Sequence, residues 1–312
     1  MTILLNTPND PTGEFQAYLA VLDRLAPQRK VRVWPDTGPV EDVIYTMVWR
    51  PNPGDLRRYP NLKAIFNLGA GVDALLKDET LPTNVPLVRL VDESLTGGMT
   101  EYVVYHVLRF HRRTPEIEQS QRRSEWEPVL YPMTRDRKVG ILGMGVLGGD
   151  AARKLAEFGF DVAGWSRTEK SIPGVKSYYG ANQLHAFLNR TEILVCLLPL
   201  TSDTNGIVNA QFLAQLPKGA CVINAGRGGH VVQDDLLAAL DSGQIGYATL
   251  DVFTPEPLPR EHPFWTHPRV TVTPHNASLT QPETAVPVVL EGIERLERGE
   301  LPRNVVDRKL GY

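Results

Sequence analysis

Residues 139–160, VGILGMGVLGGDAARKLAEFGF, decide the fold. An apolar run ends in Gly143-x-Gly145-x-x-Gly148, and an alanine-rich helical pattern follows at once. Alone the glycine pattern is weak; between a strand and a helix it has a mechanism. Gly143 permits a tight turn, Gly145 lets the backbone approach a pyrophosphate, and Gly148 lets helix and strand pack closely. The helix N-terminus adds unpaired N–H groups and a partial positive charge. The stretch therefore reads as the start of a dinucleotide-binding βαβ unit. Gly143, Met144, Gly145, Val146, Leu147 and Gly148 are its candidate cofactor contacts.

The next strand tells which dinucleotide. In DVAGWSRTEK, residues 161–170, the strand end carries Ser166, Arg167 and Thr168. An acid is common there and accepts hydrogen bonds from the adenosine ribose. Asp161 stands at the wrong end of the strand to serve. Ser166 and Arg167, with Lys170 nearby, would instead attract a 2′-phosphate, a charge-assisted contact worth about 1.5–3 kcal/mol. NADP(H) is the expected cofactor and NAD the less favoured one. The bland alternative makes Arg167 a solvent-facing loop residue.

Outward from this unit the chain alternates strands and helices. Before it, TILLNT, KVRVW, YTMVWR, LKAIFNLG and VPLVRL read as strands, with EFQAYLAVLDRLA as a helix between the first two. After it, strands are expected at TEILVCLLPL, ACVINAGRG, GYATLDVF and VTVTPHNA, each preceded by a helix where length allows. Gly97–Gly98 marks the change between the two series, and a long helix is expected from there, broken at Pro115. This βα alternation predicts an α/β protein of two doubly wound parallel-sheet domains. Residues 1–98 and 283–312 would form a flavodoxin-like substrate-binding domain. Residues 99–282 would form the larger, Rossmann, NADP-binding domain.

Ligands of open α/β sheets bind beyond the carboxyl ends of the strands. Three such ends carry chemistry: Arg227 after CVINA, Glu256 after YATLDVF, and His275 after VTVTP. Arg227 suits a carboxylate and can polarise a neighbouring carbonyl. His275 can donate a proton to that carbonyl as hydride arrives at carbon. Glu256 can orient the imidazole and favour its protonated form. Singly, each has a bland reading as surface cation, solvated acid or structural histidine. Together, beside a dinucleotide fold, they suit reduction of a 2-oxo acid. His262, His267 and His275 show no metal-ligand spacing, so no metal is expected.

Composition sets bounds. The chain has 312 residues and a net charge of −3, which gives no drive towards nucleic acid or an anionic membrane. The basic cluster Arg109, Arg112, Arg113 is followed by Glu116 and Glu118 and reads as a solvated helix face. No apolar run approaches the ~18 residues needed to span a bilayer. MTILLNTPND reads as a strand and turn, not a signal peptide. Cys196 and Cys221 sit in apolar runs as small buried residues, which fits a cytoplasmic setting.

From KVGILGMGVLGG through GACVINAGRGGHVVQDDLLAALDSGQIGYATLDVFTPEP to VTVTPHNAS, the sequence resembles the D-isomer-specific 2-hydroxyacid dehydrogenases. The resemblance covers nearly the whole chain. It matches Arg227, Glu256 and His275 to the family's catalytic arginine, glutamate and histidine. It implies that LGAGVDAL binds the substrate carboxylate through the Ala70 and Gly71 amides. It also implies cofactor-side contacts from Leu198, Pro199 and Asp251, and a homodimer through the helix after Gly98. YTMVWRP, the Ser-Arg pair and TPHNAS are most similar to the bacterial members that reduce glyoxylate to glycolate and hydroxypyruvate to D-glycerate. Asn276 departs from the aliphatic residue usual after the histidine. Trp49 either caps a substrate pocket and limits side-chain size or is an ordinary apolar residue at a strand end. A reduced NADP pool makes reduction the expected direction. Two alternatives share the fold: a non-catalytic nucleotide-sensing protein, like the C-terminal-binding corepressors, and a dehydrogenase for another small acid.

Overall fold

Five short apolar runs form the first sheet. The computed structural model describes residues 2–8 and 15–312. In it β1 (Thr2–Asn6), β2 (Lys30–Val33), β3 (Val43–Val48), β4 (Ala64–Asn67) and β5 (Leu87–Arg89) lie parallel in the order β2-β1-β3-β4-β5. This is the flavodoxin-like order. β1 is buried at every residue, as a parallel strand covered on both faces should be. The turn expected after β1, and Glu14 at the head of the expected first helix, lie outside the described residues.

Helix α1 (Phe15–Leu25) turns Tyr18, Val21 and Leu22 inward, the i, i+3, i+4 spacing of an amphipathic helix. α2 (Asp73–Leu76) is a single turn after β4. The next helix, α3 (Glu93–His111), corrects an expectation. Its start was expected at Gly97–Gly98, yet it begins at Glu93 and runs through both glycines. Asp92 provides the start signal, accepting the Leu95 N–H at 3.1 Å. Gly98 has a packing reason to be small, because a Cβ there would lie 3.0 Å from Ser278 Oγ. α4 (Thr114–Arg122) follows with Pro115 in its first turn, after Arg113 at φ +55°. The break read at Pro115 is thus present.

The second sheet contains β6 (Lys138–Leu142), β7 (Asp161–Ser166), β8 (Val175–Tyr179), β9 (Ile193–Cys196), β10 (Ala220–Asn224), β11 (Ile245–Leu250) and β12 (Val270–Val272). All pairs are parallel, in the order β12-β11-β10-β9-β6-β7-β8. This is the Rossmann order with one further strand, and its direction switches between β6 and β9. α5 (Val146–Glu157), α6 (Gly180–Arg190), α7 (Ala210–Leu213) and α8 (Gln233–Asp241) connect these strands. β8 was not expected. It is an edge strand of half-exposed residues, so it lacks the apolar run that marks buried strands.

Finally α9 (Pro282–Glu297) packs Ala285, Val286, Val289 and Ile293 into one core with Leu5, Tyr18 and Leu22. Contacts divide the chain into Met1–Leu95 with Leu279–Tyr312, and Thr96–Ser278. The expected boundaries fell at 98/99, inside α3, and at 282/283, at the head of α9.

Candidate active site

The glycine loop joins β6 to α5. Gly143 adopts φ +98°, and a Cβ there would lie 2.6 Å from the Leu197 carbonyl at the end of β9. Gly148 lies against the Gly143 carbonyl, where a Cβ would come to 1.9 Å. Gly145 faces open space and is the N-cap of α5 without any side-chain cap. The first-turn amides of Val146, Leu147 and Gly148 therefore have no side-chain acceptor, an anion-binding arrangement. Met144 is buried beneath the loop; Leu198 and Pro199 follow β9 on the adjoining strand end. This cradle fits a dinucleotide pyrophosphate.

Ser166 ends β7, and Arg167 and Lys170 are exposed just beyond it. The Ser166 hydroxyl donates to the Thr168 carbonyl at 2.7 Å, which folds this turn on itself. Asp161 opens the strand and pairs with Arg190 at 2.6 Å and Lys176 at 3.0 Å. Burial alone would raise its carboxyl, but hydrogen bonds from Lys176 and Arg190 outweigh that and hold it below the usual range.

Beyond β10, β11 and β12 the second unit brings Arg227, Glu256 and His275 into one local structure. Asn224, fully buried at the end of β10, donates to the Arg227 carbonyl at 3.0 Å and accepts the Gly226 N–H at 3.2 Å. The Arg227 guanidinium donates to the Gly226 carbonyl at 2.7 Å. Gly228 lies against the Phe253 backbone, with no room for a Cβ. Phe253 in turn donates its N–H to Glu256 Oε1 at 3.0 Å. Glu256 Oε2 lies 2.8 Å from His275 Nδ1. The imidazole thus offers Nε2 as its other reactive nitrogen, which makes no hydrogen bond among the described residues.

Asp251, expected to make a cofactor-side contact, is 1% exposed, and its carboxylate is hydrogen-bonded to the turn that carries His275. Oδ1 accepts from Thr273 Oγ1 at 2.6 Å and Asn276 N–H at 3.0 Å; Oδ2 accepts from Ala277 N–H at 3.0 Å. The His275 N–H bonds the Asp251 carbonyl at 2.9 Å. His275 has φ +55°, a left-handed conformation that costs about 1–3 kcal/mol and persists only where its surroundings impose it. Asp251 imposes it. Its carboxylate takes two backbone N–H groups and the Thr273 hydroxyl.

In the first unit, Ala70 and Gly71 lie between β4 and α2. Asn67 closes β4 and donates to the Gly69 carbonyl at 2.8 Å and the Gly71 carbonyl at 3.0 Å. The Ala70 and Gly71 amides make no hydrogen bond among the described residues, so both remain donors for an anion. Trp49 follows β3, and its ring covers Gly69, where a Cβ would lie 2.4 Å from Cζ3. It shares a core cluster with Ala70, so it is more than a strand-end residue.

The sequence passed over Asn67, Asn224 and Thr273. A signal existed for the first two: a polar residue closing an apolar strand directly before a glycine turn. Of the basic cluster, Arg112 and Arg113 lie on an exposed face, Arg113 pairing with Glu116 at 3.0 Å, whereas Arg109 is largely buried and pairs with Glu118 at 2.6 Å. Cys196 and Cys221 are free, and burial pushes both thiols up to about 12. Among the described residues no three His, Cys, Asp or Glu side chains converge on a metal site. No helix among them is long and apolar enough to cross a membrane.

Comparison with known proteins agrees with this architecture. The profile of the D-isomer specific 2-hydroxyacid dehydrogenase NAD-binding domain matches residues 104–277. The chain is 48% identical over 308 residues to glyoxylate/hydroxypyruvate reductase A of Serratia proteamaculans, spanning 97% of this chain and 98% of that protein. A D-isomer specific 2-hydroxyacid dehydrogenase from Xanthobacter autotrophicus Py2, solved with NADPH and MES, superposes with TM-score 0.95. It shares 43% identity, over 100% of this chain and 99% of that one. An NADPH-dependent glyoxylate/hydroxypyruvate reductase from Sinorhizobium meliloti, solved with NADP and sulfate, gives TM-score 0.93 at 43% identity, over 100% and 99% of the two chains. The chain belongs to the D-isomer-specific 2-hydroxyacid dehydrogenase family.

Proposed function

We propose that this protein reduces small 2-oxo acids with NADPH, glyoxylate to glycolate and hydroxypyruvate to D-glycerate. The observation that carries the reading is the Glu256–His275 pair beside Arg227, at strand ends of a dinucleotide-binding sheet. When bound, the reduced nicotinamide supplies hydride to C2 of the oxo acid. His275 supplies the matching proton from Nε2 to the C2 oxygen, which becomes the hydroxyl. Glu256 holds the ring through Nδ1 and keeps Nε2 as the donating nitrogen. Arg227 offers a planar cation to the substrate carboxylate and polarises the adjacent carbonyl. In the first unit the Ala70 and Gly71 amides offer donors of the same kind, and the bulk of Trp49 favours short side chains. Residues 1–98 and 283–312 therefore serve the substrate, and residues 99–282 hold the cofactor and supply Arg227, Glu256 and His275.

Gly143 to Gly148 hold the pyrophosphate in this reading, with Leu198 and Pro199 beside it. Ser166 and Arg167 address the 2′-phosphate, with the serine hydroxyl rotating away from Thr168. NADP-bound neighbours support that choice. The names of the relatives support the two substrates. A cytoplasmic homodimer completes the proposal. Its support is exposed apolar surface on and after α3: Tyr105, Trp126 and Leu130 are 62%, 97% and 88% exposed.

The test is NADPH oxidation with a panel of acids, repeated with NADH. Fast turnover of glyoxylate and hydroxypyruvate with NADPH is expected. No turnover with any oxo acid would leave a nucleotide-sensing protein. Turnover confined to another acid would reassign the substrate.

A further inference from the structure

The turn that carries His275 is anchored one step beyond Asp251. We propose that Tyr102, on α3, is a positioning residue for His275, acting through Thr273 and the Asp251 carboxylate. The inference rests on reading His275 as the proton donor.

Chemistry assigns the hydrogens. Asp251 has a backbone N–H aimed at each carboxylate oxygen, so the group acts as acceptor. Thr273 Oγ1, 2.6 Å from Oδ1, donates to it. A hydroxyl has one proton, so Thr273 must accept from the Tyr102 hydroxyl, 2.8 Å away. The chain runs one way: Tyr102 to Thr273 to Asp251. Each donation polarises the next, strengthening the bond that follows by an estimated 10–30%. Burial raises the Tyr102 hydroxyl well above the usual phenol range, so it stays a donor at any working pH.

The far end of the chain is the reacting group. Residues 275 to 277 all hang on Asp251, through its carbonyl and both carboxylate oxygens. A residue at φ +55° keeps its direction only while those bonds hold. Tyr102 also packs its ring on His106, with centroids 4.3 Å apart. That contact belongs to the core, and removal of the hydroxyl alone leaves it in place.

The experiment is Tyr102→Phe in the full-length enzyme. A fall in kcat for glyoxylate of about two- to ten-fold is expected, the worth of one neutral hydrogen bond. The melting temperature should fall by a few degrees at most, and the NADPH Kd, read by fluorescence quenching, should barely move. Thr273→Val should cost as much or more, and Tyr102→Phe should add nothing on top of it. Tyr102→Phe should likewise cost nothing in a His275→Gln background. The proposal is overturned if Tyr102→Phe leaves kcat unchanged, if its cost persists without His275, or if the cost appears in the NADPH Kd. Should Tyr102→Phe fold poorly, Thr273→Val severs the same link and its non-additivity with His275→Gln decides. A His275→Gln enzyme with near-normal kcat is a different failure: it removes the proton donor itself, and this proposal with it.

Discussion

Glu256→Gln is the sharpest perturbation the site allows. Glu256 spends one oxygen on His275 Nδ1 at 2.8 Å and the other on the Phe253 N–H at 3.0 Å. Glutamine has the same shape but only one acceptor oxygen. If that oxygen stays on His275, the new amide NH2 faces the Phe253 N–H, donor against donor. If it turns to Phe253, the NH2 points at Nδ1 and is satisfied only by a neutral ring with its proton on Nε2. Neither arrangement sets a negative charge beside the imidazolium. A charge-assisted hydrogen bond contributes about 1.5–3 kcal/mol. The His275 and Glu256 side chains are 32% and 22% exposed, which places the effect in the lower half of that range. The expected loss is about 10- to 30-fold in kcat for reduction. KM for the oxo acid should change little, because Glu256 acts through His275 and not on bound substrate. Steady-state NADPH oxidation reads both quantities, with a thermal melt to confirm folding. A kcat within about two-fold of the parent, against the 10-fold minimum argued from the hydrogen bond, would refute the role given to Glu256.

Four further outcomes are expected. Asp251→Asn replaces one acceptor by a donor that faces an N–H or a hydroxyl; it should cost about 1–3 kcal/mol of stability by thermal melting, and an unchanged melt would contradict the clamp. His106 is 3% exposed on α3, and burial, with help from Arg109, lowers its pKa from 6.5 to about 4. A lowered histidine stabilises the fold fully above 6.5 and loses that contribution as pH falls towards 4; the loss is about 3 kcal/mol, and His106→Gln should flatten this part of the stability–pH curve. With both thiols pushed up to about 12, the native protein at neutral pH should resist iodoacetamide, while the unfolded chain reacts at Cys196 and Cys221; fast native labelling would contradict the raised thiols. Arg167→Ala should lower the NADPH-to-NADH ratio of kcat/KM by about ten-fold or more, and an unchanged ratio would return Arg167 to the solvent.

Both sheets were legible because buried parallel strands read as apolar runs, and the glycine loop because its spacing is set by phosphate geometry. What escaped had weaker or misleading local signals. β8 lies at an edge and has no apolar run. Gly97 and Gly98 looked like punctuation, yet α3 passes through them, since Asp92 caps the helix and Ser278 packs at Gly98. Arg227, Glu256 and His275 could be found as charged groups after strands. Tyr102 and Thr273 could not: they lie 171 positions apart in sequence, and only the fold brings their hydroxyls together. Asp251 was noticed as a strand-end acid, but its hold on the His275 turn was not, because sequence says where a carboxylate stands and not which donors reach it.

One device recurs at three strand ends, and it bears on how the site works. Asn67 after the β4 core, Asn224 at the end of β10 and Asp251 just past β11 are all buried polar residues. Each turns back on the backbone that follows: Asn67 on Gly69 and Gly71, Asn224 on Gly226 and Arg227, Asp251 on residues 275 to 277. A buried polar side chain costs stability unless it is hydrogen-bonded, and these three spend their bonds on turns that carry candidate functional groups. The turns are therefore held from inside the sheet rather than by a bound substrate. Positions fixed before binding cost no reorganisation at the moment of reaction, which is where oriented groups gain most of their catalytic worth. It follows that substitutions at Asn67 or Asn224, which need not touch substrate, should lower kcat alongside stability.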